Sequence, residues 1–432
     1  MSHCLEQQNR MNETDEVLMM YQTKNTVIWP RAIILIDMNA FFASVEQLDH
    51  PEWQGRALAV TNGKQGTCII TSSYEARAYG IKTGMRLQEA KKLCRHLIQV
   101  PARPERYVEI SRAIMKSLTA ITPDIEIFSV DEAFLDVTHC QLLHGSPEKM
   151  GLLAKQIVFK VSGLLCSVGV SGDKTTAKYA AKLQKPNGFV VIPPWEAKET
   201  LRHVNVTELS GIKSGIGGFL KKHGATTCGE VERIPISILS KRFGNIGKRI
   251  WYMCQGADPE PVHTMVASPK SMGHGKVMPP NTTDRNIIET FLMHMCEKLG
   301  ARLRQHQFHA QHFFAGLLNR DTGWYGSRGK TIQPTHDSKE IYQLAQFIID
   351  QHWNGEPISQ VQVTALDPRE GALQLDLFVE SNEKREITYS VIDEINHKYG
   401  EFTIAPAQML HRSQMPNVIA PAWKPDGHRQ TI

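Results

Sequence analysis

The sequence predicts an α+β fold built in several domains, and three observations carry that prediction. The chain has 432 residues, more than one compact core usually organises, so two to four domains are expected. Up to Pro194 short apolar strands alternate with amphipathic helices, the pattern of an α+β domain. From 195 to about 262 short helices separated by glycines replace the strands, and from 285 helix and strand patterns return. A small helical domain is therefore expected between two α+β domains.

Residues 1–30 are polar and mixed in sign, lack the basic start and apolar core of a signal peptide, and are read as a poorly ordered extension. Order is expected to begin at RAIILID, where residues 32–36 form a buried strand that stops at Asp37. Asn39 is the candidate cap of a helix over 40–48, closed by Asp49, His50 and Pro51. Residues 57–61 and 68–71 read as a strand and its return partner around Asn62-Gly63. Ser73 can cap a short helix ended by a left-handed Gly80. Helices follow over 86–95 and 107–121, and DIEIFSVDEAFLDVT reads as two strands around a turn. A helix over 152–164, a strand over 167–170 and a helix over 174–183 complete the first domain. In the last domain, 285–304 and 338–351 are helical, 308–318 and 358–366 are strands, and the chain from 380 onward is polar and expected to be partly extended.

Composition narrows the function classes. Apolar residues make up 41% and charged residues 22%, and no run approaches the length of a membrane-spanning helix, which argues against a membrane protein. The eight cysteines are scattered without a CxxC pair and read as reduced thiols of a cytoplasmic protein. A formal charge of +5 with a pI near 8.7 is compatible with a polyanionic partner without demanding one.

The chemistry concentrates in carboxylates. In SVDEAFLDV, Asp131 and Glu132 are adjacent, and both can face one site only at a turn, because successive strand residues point to opposite faces. Neighbouring acids repel unless a cation compensates, so a buried pair suggests metal, with Asp37 as a third oxygen ligand. A polar turn explains the pair alone equally well.

Resemblance separates these readings. IDMNAFFASVEQ, TSSYEARAYGIKTGM, SVDEAFLDVT and VGVSGDKTTAKYAAKLQKPNGF, in this order, closely resemble the Y-family DNA polymerases, with the bacterial polymerase IV and V branch nearest, over residues 31–405. The resemblance implies a right-hand polymerase: palm at 31–40 and 104–193, fingers at 41–103, thumb at 194–262, a linker at 263–271, a little finger at 272–368 and a tail at 369–432. It implies lesion-bypass synthesis in which two magnesium ions, held by Asp37, Asp131, Glu132 and the Met38 carbonyl, transfer a nucleotide to a primer 3′-hydroxyl, with low processivity and no proofreading. Asn39 stands where many relatives carry a second acid that is not a principal ligand, which puts local hydrogen bonding in question rather than catalysis.

Phe41 and Phe42 point about 100° apart on a helix; both rings could be core, but Phe42 matches the family's steric gate against a ribose 2′-hydroxyl, and Phe41 lies beside it. Tyr74 and Arg77, three apart on a helix, offer a hydroxyl and a guanidinium to one ligand, read as the triphosphate of a deoxynucleotide. Lys185, by itself a plausible surface lysine, matches the family's other triphosphate contact. Lys174, Lys178 and Lys182 make an i, i+4, i+8 stripe read as a solvated helix face outside the site.

LSGIKSGIGGFLKKHG resembles the thumb helix-hairpin-helix that holds DNA phosphates on backbone N–H groups, with Gly211 and Gly215 as candidate contacts; Lys213 and Ile216 depart from the usual small residues. QLDLF, that is Gln374, Leu375, Asp376, Leu377 and Phe378, resembles the bacterial sliding-clamp-binding pentapeptide, although GALQLDLFV also alternates as an amphipathic strand does. The expected partners are primer-template DNA, a deoxynucleotide and the sliding clamp, with no membrane, and the chain is expected to be a monomer outside a bypass complex. His306, His309 and His312 are rejected as a metal site because a strand would aim His309 and His312 to opposite faces. The rival readings are a non-catalytic DNA- and clamp-binding adaptor, which loss of an acid would have marked, and a nucleotide cyclase with a similar palm.

Overall fold

The computed structural model describes residues 27–63, 68–371 and 383–412, and the chain divides into two units at Val266 and Ala267. Among the described residues eight strands lie in the first unit: β1 (Ile33–Met38), β2 (Leu58–Thr61), β3 (Ile69–Ser72), β4 (Ile98–Pro101), β5 (Ile125–Ile127), β6 (Glu132–Asp136), β7 (Cys166–Ser171) and β8 (Phe189–Ile192). They form a five-stranded sheet in the order β5-β6-β1-β7-β8 and a three-stranded sheet in the order β3-β2-β4. β1 is central and buried along its whole length, as its unbroken apolar run requires.

The two faces of β1 enter different cores. Ile34 and Ile36 pack with Tyr107, Ile114, Met150 and Val158 from the helices Pro104–Leu118 and Pro147–Ser162. Ile33 and Leu35 pack with Phe134 and with Ala177 and Ala181 of the helix Lys174–Leu183. That helix lies close on β7 because Gly169 has no side chain: a Cβ there would meet the Ala177 carbonyl at 2.1 Å. Between residues 194 and 254 short helices enclose a core of their own, including Leu209, Ile212, Leu220, Leu239 and Ile250.

The second unit is an antiparallel sheet of β9 (Met272–Thr282), β10 (Phe308–Asn319), β11 (Gly323–Thr335) and β12 (Ile358–Ala365) in the order β11-β10-β12-β9, with β13 (Arg369–Glu370) paired to the start of β10. The helices Arg285–Gln305 and Ser338–His352 bury Leu292, Leu299, Ile341 and Ile348 against Phe313, Leu317, Val361 and Val363.

The structure corrects four local expectations. Order begins before residue 31: Trp29 is 2% exposed, meets Trp195 edge-on at 5.7 Å, and exchanges backbone hydrogen bonds with the Gln141 carboxamide. Asn39 does not cap the following helix; Ala40 occupies the cap with a left-handed φ of 45°, and the helix runs Phe41–Asp49. β9 and β11 were not expected, since both are rich in glycine and proline. Within the polar end, Glu383–Tyr399 is a helix rather than extended chain, held by Asp393 to Arg304 at 2.6 Å and by Arg385 and Tyr389 to Asp337 at 2.6 and 2.9 Å. Among the described residues no helix is long and apolar enough to cross a membrane.

Candidate active site

Strand register creates the acidic centre. Antiparallel pairing sets Asp37 directly opposite Glu132 on one side and Ser167 on the other, so the two carboxylates share a face of the sheet. Asp131 precedes β6 in the turn, and its carbonyl accepts the Met38 N–H at 2.9 Å, tying that turn to the end of β1. Asp37, Met38, Asp131 and Glu132 therefore border one cavity of about 300 Å³, together with Phe41, Phe42, Thr71, Tyr74, Arg77, Thr83 and Lys185. Two strand ends, the Phe41–Asp49 helix, the Tyr74–Ala78 helix and the turn carrying Lys185 thus supply its wall.

Each acid has its own partner. Asp37 meets Lys185 Nζ at 2.5 Å, Glu132 accepts from Lys178 Nζ at 2.7 Å, and Asp131 accepts from the Ser129 hydroxyl at 2.5 Å. Among the described residues no three acidic, histidine or cysteine side chains close into a ready-made metal cage; the three carboxylates share a cavity without sharing a point. Burial raises Asp37 to about 7, Lys185 opposes the rise, and the charges of Glu132 and Asp131 add to it. Burial, and then Glu132, also raises Asp131. Repelling, desolvated carboxylates with oxygen donors only are the chemistry a hard divalent cation relieves, so the donor set fits a metal even though it is not gathered around one.

The nucleotide candidates lie on the same wall. The Ser73 hydroxyl caps the helix that carries them by accepting from Ala76 N–H. The Arg77 guanidinium stacks over the Tyr74 ring at 4.8 Å and donates to the Ser72 carbonyl at 3.1 Å. The buried Tyr74 hydroxyl lies beside Asn39, and burial raises its pKa. Phe41 and Phe42 are 3% and 9% exposed, so both belong to the core and both also edge the cavity. Phe42 stacks on Tyr107 at 4.3 Å with planes 12° apart. The Tyr107 hydroxyl donates to Glu46 at 2.6 Å, and Arg103 pairs with the same carboxylate at 2.8 Å.

The lysine stripe is not a solvated face. Lys174 is 5% exposed and pairs with Glu126 at 2.6 Å, and Lys178 bonds Glu132 and covers the Phe128 ring at 4.3 Å. Lys182 alone reaches outward, to Glu208. Lys174 and Lys178 lie three residues before Ala177 and Ala181, which pack on the sheet, so they share that side of the helix. Gly211 and Gly215 lie away from the cavity, at the turn before and the first turn of the helix Ser214–Lys222; Gly211 holds a left-handed φ of 89°, and open space surrounds both. Residues 374–378 fall outside the described residues.

Comparison with known proteins is consistent along the chain. The impB/mucB/samB family model matches residues 36–182, and that family's C-terminal domain matches 269–377. A DNA polymerase IV of Moorella thermoacetica is 33% identical over 388 residues, 88% of this chain and 96% of that protein. Another from Pelotomaculum thermopropionicum is 32% identical over 384 residues, covering 88% and 95%. A solved Y-family DNA polymerase chimera superposes with a TM-score of 0.67 at 26% identity, over 79% of this chain and all of its own. With a multidomain α+β fold, both family domains and relatives matched over nearly their whole length, the chain belongs to the impB/mucB/samB family of Y-family DNA polymerases and is a lesion-bypass DNA-directed DNA polymerase.

Proposed function

We propose that the 300 Å³ cavity is the polymerase active site, and that it joins a deoxynucleotide to a primer 3′-hydroxyl on a DNA template with two magnesium ions. The observation that carries this reading is that Asp37, Asp131 and Glu132 line one cavity with Tyr74, Arg77 and Lys185, so acids suited to a metal and groups suited to a triphosphate adjoin one another. Asp37, Asp131, Glu132 and the Met38 carbonyl would hold the metal. When bound, the two ions would stabilise the attacking and leaving oxygens of the in-line displacement.

The chain's own groups do the rest. Arg77 and Lys185 place cationic hydrogen-bond donors where charge develops on the leaving pyrophosphate, and the Tyr74 hydroxyl, beside Asn39, supplies a neutral one. Lys185 and Lys178 neutralise Asp37 and Glu132 until other cations arrive. The Phe42 ring, backed by Tyr107, closes the space a 2′-hydroxyl would need. In this reading residues 31–40 and 104–193 are the palm, 41–103 the fingers, 194–262 the thumb and 272–368 the little finger. Gly211 and Gly215 hold backbone phosphates, and residues 374–378 bind a sliding clamp that offsets low processivity. The chain acts in the cytoplasm as a monomer outside a bypass complex and carries no proofreading nuclease.

The test is magnesium-dependent extension of a primed template, on intact and damaged DNA, with and without clamp. Purified protein that binds primer-template yet never extends it sinks the proposed site.

A further inference from the structure

Asn39, one residue past β1, is 4% exposed, lies beside the Tyr74 hydroxyl and engages both ends of its carboxamide. Its Nδ2 donates to Ser167 Oγ at 2.9 Å, and its Oδ1 accepts the Asn187 N–H at 2.7 Å. Asn187, two residues after Lys185, holds a left-handed φ of 56°, which directs that N–H. The same turn is held from two other elements. Ser167 Oγ accepts the Gly188 N–H at 3.2 Å, and Lys155 Nζ, from the helix Pro147–Ser162, donates to the Asn187 and Gly188 carbonyls. These bonds grip the backbone and leave the Lys185 side chain to meet Asp37.

We propose that Asn39 is a positioning residue for nucleotide binding: through Asn187 it fixes the turn that presents Lys185 to the triphosphate. The inference rests on the reading of Lys185 as a triphosphate contact. Lysine is a point charge on a flexible four-carbon stem, so its aim depends on where its Cα is held. A turn left free must be ordered when the nucleotide binds, and that cost appears as weaker affinity. The carboxamide serves both neighbours at once, whereas an alanine offers neither a donor to Ser167 nor an acceptor to Asn187.

The experiment is single-turnover incorporation of one deoxynucleotide by the full chain, comparing Asn39→Ala, Lys155→Met, Lys185→Ala and the Asn39→Ala/Lys185→Ala pair. The apparent nucleotide Kd should rise about tenfold in Asn39→Ala, the loss of one directed hydrogen bond, while the maximal rate stays within about threefold and primer-template affinity is unchanged. The double variant should bind no more weakly than Lys185→Ala alone, because both changes act on one contact. Lys155→Met should move the Kd in the same direction, which decides the matter should Asn39→Ala fail to fold. Additive losses in the double variant, or an unchanged Kd in Asn39→Ala and Lys155→Met where Lys185→Ala raises it, overturn the inference. An unchanged Kd in Lys185→Ala overturns the assignment of Lys185 itself, and the role of Asn39 with it.

Discussion

Replacing Glu46 tests whether the Phe42 ring is held from behind. Glu46 is fully buried; its carboxylate accepts from Tyr107 at 2.6 Å and from Arg103 at 2.8 Å, and Tyr107 stacks on Phe42 at 4.3 Å. Burial and the bond to Glu46 push the Tyr107 phenol far above its ordinary range, so it remains a donor at any working pH. In Glu46→Ala the hydroxyl loses its acceptor inside the core, about 1–3 kcal/mol, and the vacated volume adds roughly 1–2 kcal/mol. Arg103 keeps Asp49 at 2.9 Å and is partly exposed, so it adds little. A net loss of about 3 kcal/mol corresponds to a fall in Tm of roughly 6–12 °C for a unit of this size. Glu46→Gln, which retains an acceptor for Tyr107, should lose less than half as much. The functional readout is the ratio of deoxynucleotide to ribonucleotide incorporation, which should fall at least about tenfold once the ring can recede, a change of about 1.4 kcal/mol. A Glu46→Ala protein with an unaltered Tm, or with full sugar discrimination at a temperature where it is folded, would refute the reasoning.

Asp131→Ala should abolish primer extension while primer-template affinity, read by fluorescence anisotropy, stays within about twofold; retained extension would reject Asp131 as a metal ligand. Phe42→Ala should admit ribonucleotides and deepen the cavity, and unchanged sugar selection in a steady-state incorporation assay would remove its gate role. Gly169→Ala should destabilise the first unit by about 2–4 kcal/mol, because the new methyl meets the Ala177 carbonyl at 2.1 Å; a normal melting curve would contradict the close helix approach. In the second unit burial, and then Lys276 and Lys298, holds His294 down to about 3, and burial, and then His309 and Arg304, holds His336 to about 4, from an ordinary 6.5. The unfolded chain binds more protons between those values, so stability present above pH 6.5 is lost as pH falls toward 4, visible as a drop in Tm of about 5 °C between pH 7 and pH 5; a flat profile would show that these rings are hydrated.

What was legible in the sequence was what local pattern encodes. β1 is an unbroken apolar run ending in an acid, Ser73 and Gly80 bracket a short helix, and the paired acids sit at a hairpin turn. What was not legible depends on partners distant in sequence. β9 and β11 carry glycines and prolines that argue against strands locally, yet at Gly326 a Cβ would meet the Ala315 carbonyl at 2.1 Å, so the absent side chain permits the pairing with β10. The helix Glu383–Tyr399 exposes Ile387 and Val391 at 66% and 50% and is held by ion pairs, so no apolar stripe announced it. Asn39 follows a strand and precedes a helix, as a cap should, but its carboxamide is taken by Ser167 and Asn187, 128 and 148 residues away.

Lys178, which the sequence assigned to solvent, and Lys185 explain how the site tolerates its own charge. Register forces Asp37 and Glu132 to face one another, and like charges directly opposed on a sheet are destabilising. The sheet tolerates the pair because two other elements each deliver an ammonium: Lys178 from the helix packed over Gly169, and Lys185 from the turn gripped by Asn39. Arginine there would bind a carboxylate through two parallel hydrogen bonds and hold it; a lysine offers a compact charge on a flexible stem that can leave without moving the backbone. The arrangement that stabilises the protein without a bound cation is therefore one that side-chain rotation alone would undo, and Lys185 lines the same cavity as Tyr74 and Arg77, where in the proposed reading a triphosphate would receive it.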